Sequence, residues 1–232
     1  MADLIRGLDV SEYQGETDWL AVPLHIRFGV VRLAEWRVDR GGPRLDQQAV
    51  ANIAGLRATG RTVGGYQRAN PVRNSPQFEV LLFRALLAVL GLDQPGCPIP
   101  AIDIEPTGTD DELVDWPKWV REFIACYQKI APDPRLRWYT SGSFFDSRYG
   151  GVLDIPLNVT LWVGHWSGAY SKPANPGFDP ALAEQYAGRT TYTFAGRTQM
   201  HQYYNRGQVP GIGGPVDLNA LMPGLGLADV TL

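Results

Sequence analysis

The chain lacks most of the patterns that would mark other functions. It has two cysteines, Cys97 and Cys126, far apart and with no CxxC spacing, so two reduced, buried thiols are expected. Its three histidines, His25, His165 and His201, fall in no metal-ligand spacing, and neither a metal nor a cofactor is expected. Twenty-one Lys and Arg stand against 24 Asp and Glu with no basic run, which argues against nucleic acid as a partner. The most apolar stretch, FEVLLFRALLAVLGL, is interrupted by Glu79 and Arg84 and reads as an amphipathic helix rather than a membrane span. The first ten residues, MADLIRGLDV, have no basic region followed by an apolar one, so no signal peptide is expected. No glycine-rich phosphate loop follows a strand. The GIGG of residues 211–214 precedes one and reads as a turn. There is no GxSxG nucleophile motif, and Ser141 and Ser143 have no evident histidine partner. Linkers, repeats and charged tails are absent too.

What is present is a chain of 232 residues, 44% of them hydrophobic, enough for one large core. Short β-type runs alternate with helical ones. Ala49, Ile53 and Leu56 mark a helix face that ends at Gly60, and residues 76–91 form a second helix. Residues 115–131 form a third, with Pro117 in its first turn and Trp119, Phe123 and Tyr127 on one face. Strands alternating with helices imply parallel β-structure with crossover helices. The later strands, VTLWVGHW, RTQMHQYY and PVDLNAL, have only weak helical signals between them. The expected fold is α/β: a single irregular, flattened (β/α) barrel with five βα units followed by additional strands. A doubly wound open sheet is the alternative.

Three strands share an oddity. Leu8-Asp9-Val10, Ile102-Asp103-Ile104 and Val216-Asp217-Leu218 each place an acid between aliphatics. Acids are depleted in strands, and an ionised carboxylate is costly to bury alone. Side chains alternate faces, so the aliphatics turn toward the helices and the acid turns the other way, into a barrel interior. Glu105 shares the face of Asp103, with Cα atoms roughly 6–7 Å apart at a rise of about 3.3 Å per residue. Pro106 closes that strand, which puts the pair at a carboxyl end, where barrel active sites are built. Clustered carboxyls cannot all ionise cheaply, so one should keep its proton near neutral pH, and paired carboxyls facing a cleft point to glycoside hydrolysis. Tyr66, Tyr139, Trp162, Trp166, Tyr203 and Tyr204 lie in or just after strands, where aromatic faces could meet the CH faces of pyranose rings. Taken singly, each could as well be core packing.

The stretches GLDVSEYQG, PAIDIE, WYTSGSFF, LWVGHW and HQYYNRGQVPGIGGPVDLNAL, in that order, resemble glycoside hydrolase family 25, the Chalaropsis-type lysozymes, over residues 4 to about 222. A single catalytic domain over 1–232 is expected, with no separate cell-wall-binding domain after DLNAL. The resemblance implies an N-acetylmuramidase that cleaves the β-1,4 bond from N-acetylmuramic acid to N-acetylglucosamine in peptidoglycan. A chitin-type hydrolase and a non-catalytic glycan-binding barrel are the alternatives. Glu105 matches the family's general acid, and Asp103, Asp9 and Asp217 match its aspartates. Tyr139, Trp162 and Gln202 match its substrate-contacting residues, beside which Tyr66 and Tyr203 are taken as further sugar contacts. The nucleophile is either an aspartate or, preferably, the substrate's own 2-acetamido group. The expected partner is the glycan strand, met by a monomer without membrane insertion. The enzyme would be cytoplasmic until release to the wall in the manner of a phage endolysin, or exported and lacking its leader. Three departures from the family pattern stand out. His201 replaces a tryptophan. The stretch RLAEW, residues 32–36, stands for K-A-T-E-G, and GGYQRA places Gln67 where the family has histidine. The last two are expected to line the cleft and alter sugar preference.

Overall fold

The computed structural model describes residues 4–37, 42–105, 111–149, 155–164 and 197–232. Its strands are β1 (Arg6–Val10), β2 (Ile26–Arg37), β3 (Gly42–Leu45), β4 (Thr62–Arg68) and β5 (Ala101–Asp103), then β6 (Leu136–Ser141), β7 (Val159–Gly164), β8 (Thr198–Gly207) and β9 (Val216–Leu221). They join in the order β1-β9-β8-β7-β6-β5-β4-β2, and β1 pairs back onto β2, so the sheet closes into a barrel with β3 hanging from β2 as a hairpin. Neighbours from β1 through β2, β4, β5, β6 and β7 to β8 run parallel; β9 is antiparallel to both β8 and β1 and completes the ring.

Five of the strands lead into helical segments. A capped 3₁₀ turn, Glu12–Gln14, follows β1, and α1 (Ala49–Ala58) follows the β2–β3 hairpin. Helices α2 (Pro76–Leu90), α3 (Trp116–Ile130) and α4 (Gly142–Tyr149) follow β4, β5 and β6. Local chemistry sets their ends. Ser75 accepts from Phe78 N, Pro76 opens α2, and Gly91 stops it in the left-handed conformation at φ 62°. Asp115 caps α3 by accepting from Lys118 N. The face of α3 read from the sequence is the buried one, with Trp119, Phe123 and Tyr127 all in the core and Tyr127 against Phe83 of α2.

Two apolar layers result, one on each side of the sheet. Leu8, Val10, Ile102, Ile104, Val216 and Leu218 face outward into the layer beneath the helices. Phe28, Val30, Ala101, Tyr139, Trp162 and Met200 fill the barrel interior. Val230, from the C-terminal segment, packs into that inner cluster, and Ile99 N bonds to its carbonyl. The plugged interior gives the acids above it a floor that water does not reach. Cys97 and Cys126 are free, partly buried thiols. No helix among the described residues is long and apolar enough to cross a membrane.

Candidate active site

At the carboxyl ends of the parallel strands the interior opens into a cleft of about 280 Å³. Asp9, Asp103, Glu105 and Asp217 line it together with Tyr66, Tyr139, Trp162 and Gln202. Each strand brings its acid there by the same alternation that buries the neighbouring aliphatics. β5 itself ends at Asp103, and Glu105 lies two residues beyond it. There the backbone N–H of Ser141 donates to Glu105 Oε1 at 3.0 Å and orients the carboxyl. Pro106, His165 and Trp166 lie outside the described residues.

Asp9 is the hub. It sits directly opposite Asp217 across the antiparallel β1–β9 pair. Its Oδ2 accepts from Gln202 Nε2 at 2.9 Å and from Asn219 Nδ2 at 2.7 Å. Both donors are held from behind. Tyr139 OH donates to Gln202 Oε1 at 2.8 Å, and Trp162 Nε1 donates to Asn219 Oδ1 at 2.8 Å. The chain of bonds fixes both amide orientations, so Asp9 is met by N–H groups and not by carbonyls. The tyrosine and tryptophan rings also pack edge-on at 4.7 Å. They form the rigid floor on which the acids stand.

Burial dominates the acid–base character of the cluster. It pushes Asp9 up to about 6, against the pull of Asn219, Gln202 and Arg32. Asp217 rises well above the usual carboxyl range through burial and the facing Asp9 carboxylate, with which it hydrogen-bonds. A carboxyl–carboxyl bond needs a proton, so that pair shares one. Asp103 is raised strongly by burial and by Glu105, and Glu105 is raised by burial; Arg68 opposes both shifts. Asp103 Oδ1 is buried without a hydrogen-bond partner among the described residues. The site therefore holds protons at pH values where free carboxyls have lost them, as acid catalysis needs.

One expected contact, Tyr203, and one residue expected to line the cleft, Gln67, are absent from it. Tyr203 follows Gln202 on β8, so with Gln202 turned inward it faces the opposite way. It is 2% exposed, within the layer under the helices and edge-on to His201. Gln67 likewise points outward from β4, where its Nε2 donates to the carboxylate and the carbonyl of Glu79 on α2. Its neighbours Tyr66 and Arg68 are the residues of that stretch that reach the cleft.

Sequence reasoning expected the stretches that contain Arg32 and Arg68 to line the cleft but did not single out these two cations. Arg68 lies between Glu35 on β2 and Asp103 on β5 in strand register. Arg32 is buried, bonding Asp46 at 2.9 Å and Glu35 at 3.0 Å. The same alternation that located the acids assigns both arginines to the interior. Asn219 shares the face of Asp217 two residues earlier and was legible in the same way.

Comparison with known proteins follows this geometry. The sequence profile described as glycosyl hydrolases family 25 matches residues 8–212. Lysozyme M1 of Streptomyces globisporus is 26% identical over 220 residues, covering 93% of this chain and 67% of that one. Among solved structures, a bacterial lysozyme from Streptomyces coelicolor superposes with a TM-score of 0.71 at 20% identity, covering 99% of this chain and 96% of the other. A muramidase from Acremonium alcalophilum gives 0.65 at 20% identity, covering 93% and 92%. At these identities the structural matches establish a shared barrel.

Proposed function

This chain belongs to the glycosyl hydrolases of family 25, and from that premise we propose that it is a muramidase, cleaving the β-1,4 bond between N-acetylmuramic acid and N-acetylglucosamine in peptidoglycan, with Glu105 as general acid. The observation that carries this reading is the set of four carboxyls gathered in one cleft with their proton affinities raised by burial. Ser141 N–H orients the carboxyl through Glu105 Oε1, and that carboxyl delivers its proton to the glycosidic oxygen as the bond to the anomeric carbon breaks. Asp103 and Glu105 come from one strand end and meet the sugar from the same side, a poor arrangement for acid and nucleophile on opposite faces. The substrate's 2-acetamido oxygen is the better nucleophile. Its attack on the anomeric carbon closes an oxazolinium ring as the leaving oxygen takes the Glu105 proton, with the acetamido N–H donating to the carboxyl of Asp103 that lines the cleft. Water then opens the ring, with Glu105 as base. Asp9 and Asp217, with one proton between them, hold the opposite wall and stabilise positive charge that develops at the sugar.

The test is digestion of purified peptidoglycan, borohydride reduction and mass spectrometry of the released muropeptides. Reduced muramic acid ends are expected. Reduced glucosamine ends would mean a glucosaminidase, and retained wall binding without new reducing ends would mean a glycan-binding barrel.

A further inference from the structure

Two of the aromatic residues singled out from the sequence, Tyr139 and Trp162, turn out to be poor platforms for a sugar ring. Tyr139 and Trp162 are buried, 6% and 1% exposed. They are packed edge-on to each other, and Tyr66 is edge-on to Trp162 at 5.9 Å. The polar atoms of Tyr139 and Trp162 are engaged with Gln202 and Asn219. Such rings can touch a sugar in the cleft, but they offer it no open face.

Tyr13 does. It lines the same cleft and is 62% exposed. Leaving a ring of that size in water wastes apolar area, and a mobile side chain would be a weak binding element. This one is not left to wander. It sits in the middle of the 3₁₀ turn Glu12–Gln14, which a reciprocal capping box between Ser11 and Gln14 closes. Gln14 Nε2 also donates to the carbonyl of Pro215 at 2.8 Å, tying the turn to the segment that enters β9. The guanidinium of Arg32 lies 4.6 Å from the ring centroid and covers one face. Arg32 is itself fixed by Asp46 and Glu35, and Tyr13 OH reaches Glu35 Oε1 at 3.4 Å. The ring is thus backed by a buried cation, held at its hydroxyl and largely exposed where it lines the cleft.

We propose that Tyr13 is a stacking platform for a hexopyranose ring of the bound glycan, one sugar removed from the residue held over the carboxyls. Its open face takes the CH face of the pyranose while Arg32 holds the other. The ligand class is a β-linked N-acetylhexosamine unit of the same glycan, and Asn205, which lines the cleft with Tyr13, suits its hydroxyl and acetamido groups. This inference rests on the glycan-cleaving reading above and specifies how that site holds its substrate beyond the scissile bond. Tyr13 touches substrate only in binding, so its loss should appear in affinity and leave the chemical step alone.

The experiment compares the parent with Tyr13→Ala, Tyr13→Phe and Tyr13→Trp. Affinity for a β-1,4 N-acetylglucosamine hexamer is measured by calorimetry in a Glu105→Gln background. Turnover of peptidoglycan is measured with Glu105 intact. Tyr13→Ala should weaken the hexamer by about fivefold or more and raise KM by a similar factor with kcat within about twofold, whereas Phe and Trp should bind within about twofold of the parent. Thermal melts of all three identify any variant that has failed to fold, and Tyr13→Phe against Tyr13→Trp keeps the comparison open if Ala does fail. Unchanged affinity in a folded Tyr13→Ala would overturn the inference alone, since the parent would still bind and cleave. Equal weakening by Ala and Phe would also overturn it, by assigning the effect to the hydroxyl and Glu35. A parent that neither binds the hexamer nor cleaves peptidoglycan would overturn the glycan reading and this inference with it.

Discussion

Arg68→Met should move the whole pH–activity profile toward alkaline pH. Arg68 faces Asp103 on one side and Glu35 on the other in strand register. The attraction of Asp103 is the largest influence on its own ionisation, ahead of Glu105, Tyr66 and Glu35. Among the described residues, the other charges around this pair are Arg32 on the adjacent strand β2, Asp9 on β1, Arg44 beside Glu35 on β3, and Asp217 on β9. Strands lie about 4.8 Å apart, so side-chain charges on paired residues meet at roughly 5–6 Å. At an effective dielectric of about 20 that is an upper figure near 3 kcal/mol. Water in the open cleft reduces it to about 1–2 kcal/mol, or about one pH unit. The sign is unambiguous. The guanidinium favours the ionised form of both Asp103 and Glu105, so removing it raises both. The limb set by a carboxylate that must be ionised and the limb set by the acid that must stay protonated therefore move up together. The assay is kcat/KM against pH on a soluble uncrosslinked glycan, for the parent, Arg68→Met and Arg68→Lys. Lysine keeps the charge and should keep the limbs. A folded Arg68→Met whose limbs stay within about 0.2 units of the parent's would refute the reasoning.

Three further perturbations follow from the same structure. Asp217 binds its proton more tightly folded than unfolded, so its ionisation costs stability as pH rises from the unfolded pKa of about 3.9 through the higher folded value; it is partly open to cleft water. Asp217→Asn should therefore stabilise the protein by about 1 kcal/mol at pH 7, seen as a Tm gain of about 2–4 °C. The gain should vanish near pH 4, and turnover should fall. An equal Tm change at both pH values would contradict this. Gln67→Leu should cost about 1–3 kcal/mol by removing a donor from the buried Glu79 carboxylate. Its kcat/KM at 25 °C should not change, and a large loss in fully folded protein would put Gln67 back in the cleft. Gly55→Ala would place a Cβ 2.0 Å from Trp19 Cδ1. Overpacking of about 1–3 kcal/mol should outweigh the helix propensity gain of about 1 kcal/mol, so its Tm should fall rather than rise.

How much of this was legible depended on whether a feature is local. The alternation of Leu8-Asp9-Val10 and its two counterparts is a two-residue pattern, and it located the acids and the barrel interior together. The start of α2 at residue 76 and the tryptophan face of α3 were readable for the same reason. The errors came from judging residues by type instead of by parity. Tyr203 was taken as a sugar contact and Gln67 as part of the cleft lining, yet their immediate neighbours Gln202, Tyr66 and Arg68 hold the inward positions. Which aromatics remain open was not legible at all. Tyr139 and Trp162 are closed off by partners from β8 and β9, 63 and 57 residues further along the chain. Tyr13 is backed by an arginine on another strand. The antiparallel entry of β9, which sets Asp217 opposite Asp9, likewise follows from ring closure and not from any local signal.

The central claim is that Glu105 supplies the proton while the rest of the cleft binds. The most direct measurement pairs turnover with binding for Glu105→Gln on the same insoluble peptidoglycan. The isosteric amide keeps the bond from Ser141 N–H but has no proton to give. The account predicts release of new reducing ends at least about 10³-fold slower than the parent, with sedimentation binding within about threefold. A Glu105→Gln that releases reducing ends at near the parent rate would contradict it.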